Sequence, residues 1–298
     1  DIQSVIMTVL SLMTVITSVS MGLLLYNRYE TAMRQNDVRD AQNLMETIAN
    51  SMEQYLKNMR QISDTVNYNI IQAHDVSSPE FNQQLSLLYD LNKDKIQSIA
   101  LYDMDGELLG AEPVTLQKKG VEVSRQSWFE NAKEKIENMH FSTPHMQDLF
   151  QDDAKRYHWV ISLSRAVEVI DGDSPENGIL LVDMKYSFIE EMMDQINDRS
   201  RGRYYYLCDR EGKLIYHPYA NEISNGLFQE NSGLASCSED GIYRNLRSPH
   251  GEKQTMIVNT ISYTGWKLVG VVLPDIRTDS LEKFRIYMIT IMIMLIMM

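Results

Sequence analysis

"ALYDMDGELLGAEP" at residues 100–113 and "YLCDREGKLIYHP" at residues 206–218 are two versions of one pattern. A slide of 106 positions brings Leu101 onto Leu207, Asp103 onto Asp209, Gly106 onto Gly212 and Leu108 onto Leu214. Each copy is an apolar run, an acidic turn ending in Gly and a second apolar run, which is the signature of a β-hairpin. Gly supplies the positive φ such a turn needs, and the flanking alternation lays one face of each strand on a core. Two copies predict two related modules, each built on an antiparallel sheet.

The 298 residues are 44% hydrophobic and 23% charged, which excludes a disordered chain and leaves room for two cores. Net charge is −13, and apart from Asp1 every charged residue lies between Arg28 and Arg285, so nucleic acid is not an expected partner. Residues 2–26, "IQSVIMTVLSLMTVITSVSMGLLLY", carry no charge and are long enough for a transmembrane helix, for which ~20 apolar residues suffice. A cleaved signal peptide is the alternative, since Ser18-Val19-Ser20 has small residues at cleavage spacing, but the apolar run continues beyond it. Residues 286–298 are also charge-free, and a helix over 275–298 is expected to enter a second, truncated membrane span. The reading is a multi-pass cell-membrane protein, in contact with lipid, whose residues 30–285 are extracytoplasmic.

Between the membrane segments, apolar residues at Ala41, Leu44, Ile48, Met52, Tyr55, Met59, Ile62, Val66 and Ile70 step by three and four, so 30–74 is read as one long amphipathic helix. A shorter helix is expected over 79–92, then strands over 96–103, 108–110, 159–166 and 178–183, with a helix over 127–138 between them. The Asp, Gly, Ser and Pro of "VEVIDGDSPENG" mark 167–178 as a surface loop. Ser187 and Glu190 have capping-box spacing and open a further helix. The first module is assigned to 75–190 and the second to 191–274. Cys208 and Cys237 can bridge in an oxidising compartment, but Cys208 stands where the other copy has Tyr102, and two free thiols are the preferred reading.

The sequence has no Gly-rich phosphate loop, no nucleophile elbow, no H-E-x-x-H and no paired C-x-x-C, so no catalytic residue, metal site or cofactor is expected. "DMDG" at 103–106 starts like a calcium loop but lacks the later ligands. What remains is a set that suits a small-molecule pocket of aromatic walls and a few polar groups: Trp128, Phe129, His145, Gln147, Trp159, Arg165 and Asp183. Packing explains the three aromatic residues equally well, and a salt bridge explains Arg165 or Asp183. Asp183 closes the apolar run "GILLV", where a carboxylate is costly to bury without a partner.

"RQSWF", "FSTPHMQDLF", "WVISLSR", "GILLVDMKYSFIEEM", "GKLIYHP" and "YTGWKLVGVV", in this order and spacing, resemble the double-Cache extracytoplasmic sensor of YesM-type sensor histidine kinases. The resemblance covers nearly all of residues 30–285. It implies a mixed α+β fold: a long N-terminal helix and two PAS-like Cache modules with antiparallel sheets, flanked by transmembrane helices. It also implies that ligand binds the membrane-distal module, 75–190, while the membrane-proximal module, 191–274, relays the signal. Amino-acid-binding members use an Arg two residues before the Trp, a Tyr and an Asp on the next strand, and a later Asp for the amine. These positions fall on Gln126, His145, Gln147 and Asp183. An amide cannot replace the bidentate guanidinium grip on a carboxylate, so a neutral polyol, sugar or amine is expected rather than an α-amino acid. A homodimer signalling to a response regulator through a cytoplasmic kinase is implied. A methyl-accepting chemoreceptor is the alternative, and a membrane-anchored extracytoplasmic enzyme is a further one.

Overall fold

The computed structural model describes residues 2–114, 117–135, 139–151, 158–172, 174–197, 202–249, 251–273 and 279–297. Helix α1 (Ile2–Thr65) runs unbroken for 64 residues into a π-helical turn at Val66–Ile71. It is roughly 95 Å long at 1.5 Å per residue. Its N-terminal part is long and apolar enough to cross a membrane, and no residue of that stretch is buried within the protein. From Ala41 onward the same rod becomes amphipathic. Ala41, Ile48, Met52, Tyr55, Met59, Ile62, Val66 and Ile70 are buried, Leu44 is half-buried, and Met45, Ala49 and Leu56 widen the stripe. The stripe is wide because it covers two sheets rather than one.

Ser78 caps α2 (Pro79–Asn92) by accepting a hydrogen bond from the Phe81 amide, and Pro79 starts the helix where its missing N–H costs nothing. The first sheet then forms from β1 (Ile96–Asp103), β2 (Leu108–Glu112), β3 (His140–Phe141), β4 (His145–Met146), β5 (Trp159–Asp171) and β6 (Ser174–Lys185), with α3 (Ser127–Glu134) between β2 and β3. Its order is β2-β1-β6-β5-β3, with β4 also pairing β5. After α4 (Ser187–Asp194), the second sheet uses β7 (Arg203–Cys208), β8 (Leu214–Tyr216), β9 (Gly241–Arg247), β10 (Lys253–Ile261) and β11 (Trp266–Val272). Short helices α5 (Ala220–Ser224) and α6 (Ser232–Ser236) lie between β8 and β9. Its order, β8-β7-β11-β10-β9, repeats that of the first sheet. The chain is mixed α+β, with α7 (Asp279–Met297) returning beside α1.

The repeat extends to single hydrogen bonds. Asp103 Oδ1 accepts from the amides of Asp105 and Glu107 at 2.9 and 2.8 Å, and Asp209 Oδ1 accepts from those of Glu211 and Lys213 at 3.0 and 2.7 Å. Gly106 and Gly212 follow with φ of +90° and +85°. Both carboxylates are therefore engaged in closing turns. Each hairpin sits at the edge of its sheet and shifts register at the same place, between Leu101 and Tyr102 and between Leu207 and Cys208.

Two local expectations are corrected. The loop expected over 167–178 is paired strand, because β5 continues to Asp171 and β6 begins at Ser174. Val167 and Val169 are buried, while Asp171, Glu176 and Asn177 are exposed on the paired strands. The Gly172 amide donates to Asp75 Oδ2 and the Val76 amide to the Ile170 carbonyl, so the hairpin tip is tied to the connection before α2. The capping box at Ser187 and Glu190 does not form. Tyr186 occupies the N-cap position, and its carbonyl accepts from the amides of Ile189 and Glu190. The end of the helix expected over 127–138 (residues 136–138), and residues 274–278 before α7, lie outside the described residues.

One apolar cluster joins α1 to both sheets: Met52, Leu56 and Met59 belong with Leu101, Ile161 and Leu163 of the first and Tyr205, Leu207 and Leu268 of the second. Leu56→Ala removes a fully buried side chain from it. The substitution is expected to cost about 2–5 kcal/mol, read as a lower midpoint for the whole extramembrane part in thermal unfolding. Cys208 is buried in β7 and Cys237 is exposed, both free thiols. Burial, and secondarily the Asp209 carboxylate, push the Cys208 thiol up to about 12. At pH 8 Cys208 remains protonated, so iodoacetamide is expected to label Cys237 and spare Cys208 in the folded protein, as read by peptide mass spectrometry.

Candidate ligand-binding site

Each sheet has one face on α1 and one face away from it, and the two outer faces differ. On the first sheet, β1, β6 and β5 are neighbours, and their register aligns Ser98 with Asp183 and Asp183 with Ser162. Three polar side chains thus form a row on the outer face. Asp183 is 1% exposed. Its Oδ2 accepts from Ser98 Oγ at 2.9 Å and from Gln147 Nε2 at 3.0 Å, and its Oδ1 accepts from Ser162 Oγ at 2.5 Å. Hydroxyl and amide donors satisfy this carboxylate, so its burial is tolerated without a salt bridge.

The row continues outward. His145 Nε2 lies 3.3 Å from Ser162 Oγ, and His145 Nδ1 lies 3.0 Å from the Thr143 carbonyl. Ser142 Oγ accepts from the Ser162 amide at 2.9 Å and fixes the turn between β3 and β4. Ser164, the next outer-face residue of β5, donates to the Trp128 carbonyl at 2.9 Å and holds the start of α3 on the sheet. Trp128 and Phe129 then pack with Tyr102 beneath α3, at ring-centroid distances of 5.7 Å for Trp128 to either neighbour. Burial, followed by the charge of Asp183, raises the Tyr102 phenol well above its ordinary value.

Between α3 and the β3–β4 turn is a cavity of about 410 Å³. Gln126, Trp128 and Asn131 line one side, Phe141, Thr143 and His145 another, and Ser164 contributes from the sheet. Lys213 reaches it from the hairpin of the second sheet, and its Nζ donates to Thr143 Oγ1 at 3.0 Å.

The eight residues singled out in the sequence divide by sheet face. Gln126, Trp128 and His145 line the cavity; Gln147 and Asp183 form the polar row beneath it; Phe129, fully buried, packs behind Trp128. Trp159 and Arg165 are not brought into the site. They have the same strand parity as Ile161 and Leu163, which puts them on the α1 face: Trp159 is 55% exposed beside Met146, and Arg165 Nη1 pairs with Asp64 Oδ1 at 2.6 Å. Sequence reasoning missed Ser98, Ser162, Ser164 and Lys213. Ser162 and Ser164 alternate with Ile161 and Leu163 in "ISLS", and that period of two was the available signal. Nothing local to Lys213 points to a site more than forty residues upstream.

The outer face of the second sheet is filled. Tyr204, Tyr206, His217, Tyr219 and Phe228 pack with ring centroids 5.0–6.5 Å apart. Glu230 accepts from Tyr204 Oη at 2.6 Å and lies 3.4 Å from His217 Nε2. Burial, and next the Glu230 carboxylate, raise both the Tyr204 and the Tyr206 phenols.

Residues 29–278 match the family model described as a Cache domain. No curated protein matches the chain significantly. Several solved structures share the fold. The ligand-binding domain of the Pseudomonas aeruginosa amino acid chemoreceptor PctB, in complex with L-Arg, is 17% identical and superposes with a TM-score of 0.59, covering 82% of this chain and 91% of that one. The domain of the Campylobacter jejuni chemoreceptor Tlp3, in complex with 4-methylisoleucine, is 12% identical with a TM-score of 0.60, covering 81% and 92%. That of the Pseudomonas fluorescens chemoreceptor CtaA, in complex with L-serine, is 15% identical with a TM-score of 0.56, covering 81% and 99%.

Removing the carboxylate at the centre of the polar row leaves Ser98, Ser162 and Gln147 without their common acceptor. Asp183→Ala is expected to cost about 1–3 kcal/mol in urea unfolding, whether or not a ligand is present.

Proposed function

This chain belongs to the Cache domain family, and we propose that it is the extracytoplasmic part of a transmembrane receptor that binds a polar small molecule in the cavity between α3 and the β3–β4 turn. The observation that carries this reading is the difference between the outer faces: open and lined by Gln126, Trp128, Asn131 and His145 on the first sheet, closed by packed aromatic rings on the second. The first unit, 75–190, is then the membrane-distal, ligand-binding module, and the second, 191–274, the membrane-proximal relay. The Trp128 ring and the amides of Gln126 and Asn131 suit a hydroxyl-rich ligand.

Both ends of the chain lead into the membrane in this reading, α1 as one span and α7 as the other, with lipid around them. Its support is the packing of the two helices: Tyr29 stacks on Phe284 at 4.3 Å, and Gly22 leaves room for Met288, whose Cε would lie 3.1 Å from an added Cβ. A ligand that prefers one arrangement of the modules biases the α1–α7 pair by its difference in affinity. The output proposed is a YesM-type histidine kinase acting as a homodimer on a response regulator, supported by the order and spacing of phrases such as "RQSWF" and "GILLVDMKYSFIEEM". A chemoreceptor is the second reading, favoured by the structural neighbours named above, which are chemoreceptor ligand-binding domains in complex with L-Arg, 4-methylisoleucine and L-serine. The domain content of the full-length protein separates the two: an ATP-binding domain after a histidine-bearing helix, or a long methylated coiled coil. In the kinase reading, ligand changes the rate of ATP-dependent autophosphorylation of the whole protein in membranes.

Gln126→Ala and Asn131→Ala each remove one cavity amide. Each is expected to weaken binding of a stabilising metabolite about tenfold in calorimetric titration while leaving the ligand-free unfolding midpoint unchanged. Affinity unchanged from the unsubstituted protein in both variants sinks the assignment of this cavity.

A further inference from the structure

The repeated hairpins differ at one position that bears on the cavity. The slide of 106 residues places Lys213 opposite Glu107, so the second copy has a cation where the first has an acid. The second hairpin is docked on the first module at two points. Tyr186 Oη, just after β6, donates to the buried Ile215 carbonyl at 2.7 Å, and Lys213 Nζ donates to Thr143 Oγ1 at 3.0 Å. The Lys213 backbone is fixed as well, since its amide donates to Asp209 Oδ1 at 2.7 Å in a turn whose Gly212 packs against Gly233. A long, flexible side chain is thereby aimed at the cavity from a rigid base.

Among the described residues, no ion pair compensates the charge it brings. Among the described residues no carboxylate lines the cavity, and the partner of the Lys213 ammonium is a neutral hydroxyl. Asp183, the nearest acid of the polar row, is buried below the cavity with its oxygens engaged by Ser98, Ser162 and Gln147. The remaining lining offers amide, hydroxyl and imidazole groups that can donate to anionic oxygens.

From this geometry we propose that the ligand carries an anionic group, a carboxylate or a phosphate, and that Lys213 of the second module binds it within the cavity of the first. The proposal rests on the cavity being the ligand site and adds the charge of the ligand and the element that reads it. Such a ligand is held by both modules at once. Its release leaves Thr143 as the remaining contact of Lys213 across the boundary, so occupancy changes how firmly the second hairpin is held, and the repeated turn becomes the point at which binding is passed on.

The test uses the whole chain in lipid nanodiscs and four matched probes: gluconate, glucose 6-phosphate, glucose and glucosamine. Calorimetric titration is expected to show gluconate or glucose 6-phosphate binding about tenfold or more tightly than glucose, with glucosamine weakest, the scale of a charge-assisted hydrogen bond. Which of the two anions binds separates a carboxylate from a phosphate ligand. Lys213→Gln, at an exposed position, is expected to remove that preference, while Lys213→Arg retains it. Preference for glucose or glucosamine overturns the proposal, as does failure of both anions to bind in the millimolar range. Anion binding that survives Lys213→Gln but is weakened by Gln126→Ala overturns only the grip by the second module. Binding indifferent to both substitutions overturns the cavity assignment itself.

Discussion

The apolar stripe of α1 is the constraint on which the other elements depend. Neither sheet closes a core alone, because each needs its inner face covered and the same helix covers both. Met52, Leu56 and Met59 share one cluster with side chains from strands that are far apart in the chain. Burial at roughly 25 cal/mol per Å² of apolar surface makes that shared cluster the main source of stability, and it makes the two sheets thermodynamically interdependent. The same helix runs without a break into the stretch that can cross a membrane. A rod fixed to both sheets cannot shift against one without disturbing the other, which is the mechanical basis for passing a small displacement along it.

Covering one face of each sheet leaves the other face to specialise. In the second sheet it is packed with aromatic rings around Glu230 and His217, an arrangement that leaves little to rearrange. In the first, a polar row replaces the apolar packing at Ser98, Asp183 and Ser162. A buried carboxylate with three neutral donors is satisfied only if all three stay in place, so Asp183 ties β1, β5 and the segment after β4 into one geometry. The cavity above it inherits that rigidity through Ser162 and His145. Asp183 thereby shapes the floor of the cavity.

Duplication gives the two modules equivalent parts. Two sheets with one strand order and one turn geometry offer two equivalent edges, and the second edge faces the first module's open side. Turn closure by Asp103 and Asp209 is indifferent to the residue four places on, so that position was free to differ, as Glu107 and Lys213 do. A scaffold feature thereby acquires a contact across the module boundary.

The sequence alone determined what depends on local periodicity and turn chemistry. The long amphipathic helix was legible from its steps of three and four, the paired hairpins from Gly after an acidic turn, and the mixed α+β class from both. Trp128 and His145 could be picked out as site candidates because they lie in compact aromatic and polar phrases, and Gln126 through the family resemblance. Local composition misled where tertiary pairing outweighed it: "VEVIDGDSPENG" reads as loop, yet Val167 and Val169 have a core to enter and the strands continue past it. Strand parity, which sent Arg165 and Trp159 to the α1 face, required knowing which face α1 covers. The arrival of Lys213 beside Thr143 depended on docking two modules through Tyr186 and Ile215. Contacts between residues seventy apart arise from how whole sheets share one helix, a long-range packing outcome that no window of the chain encodes.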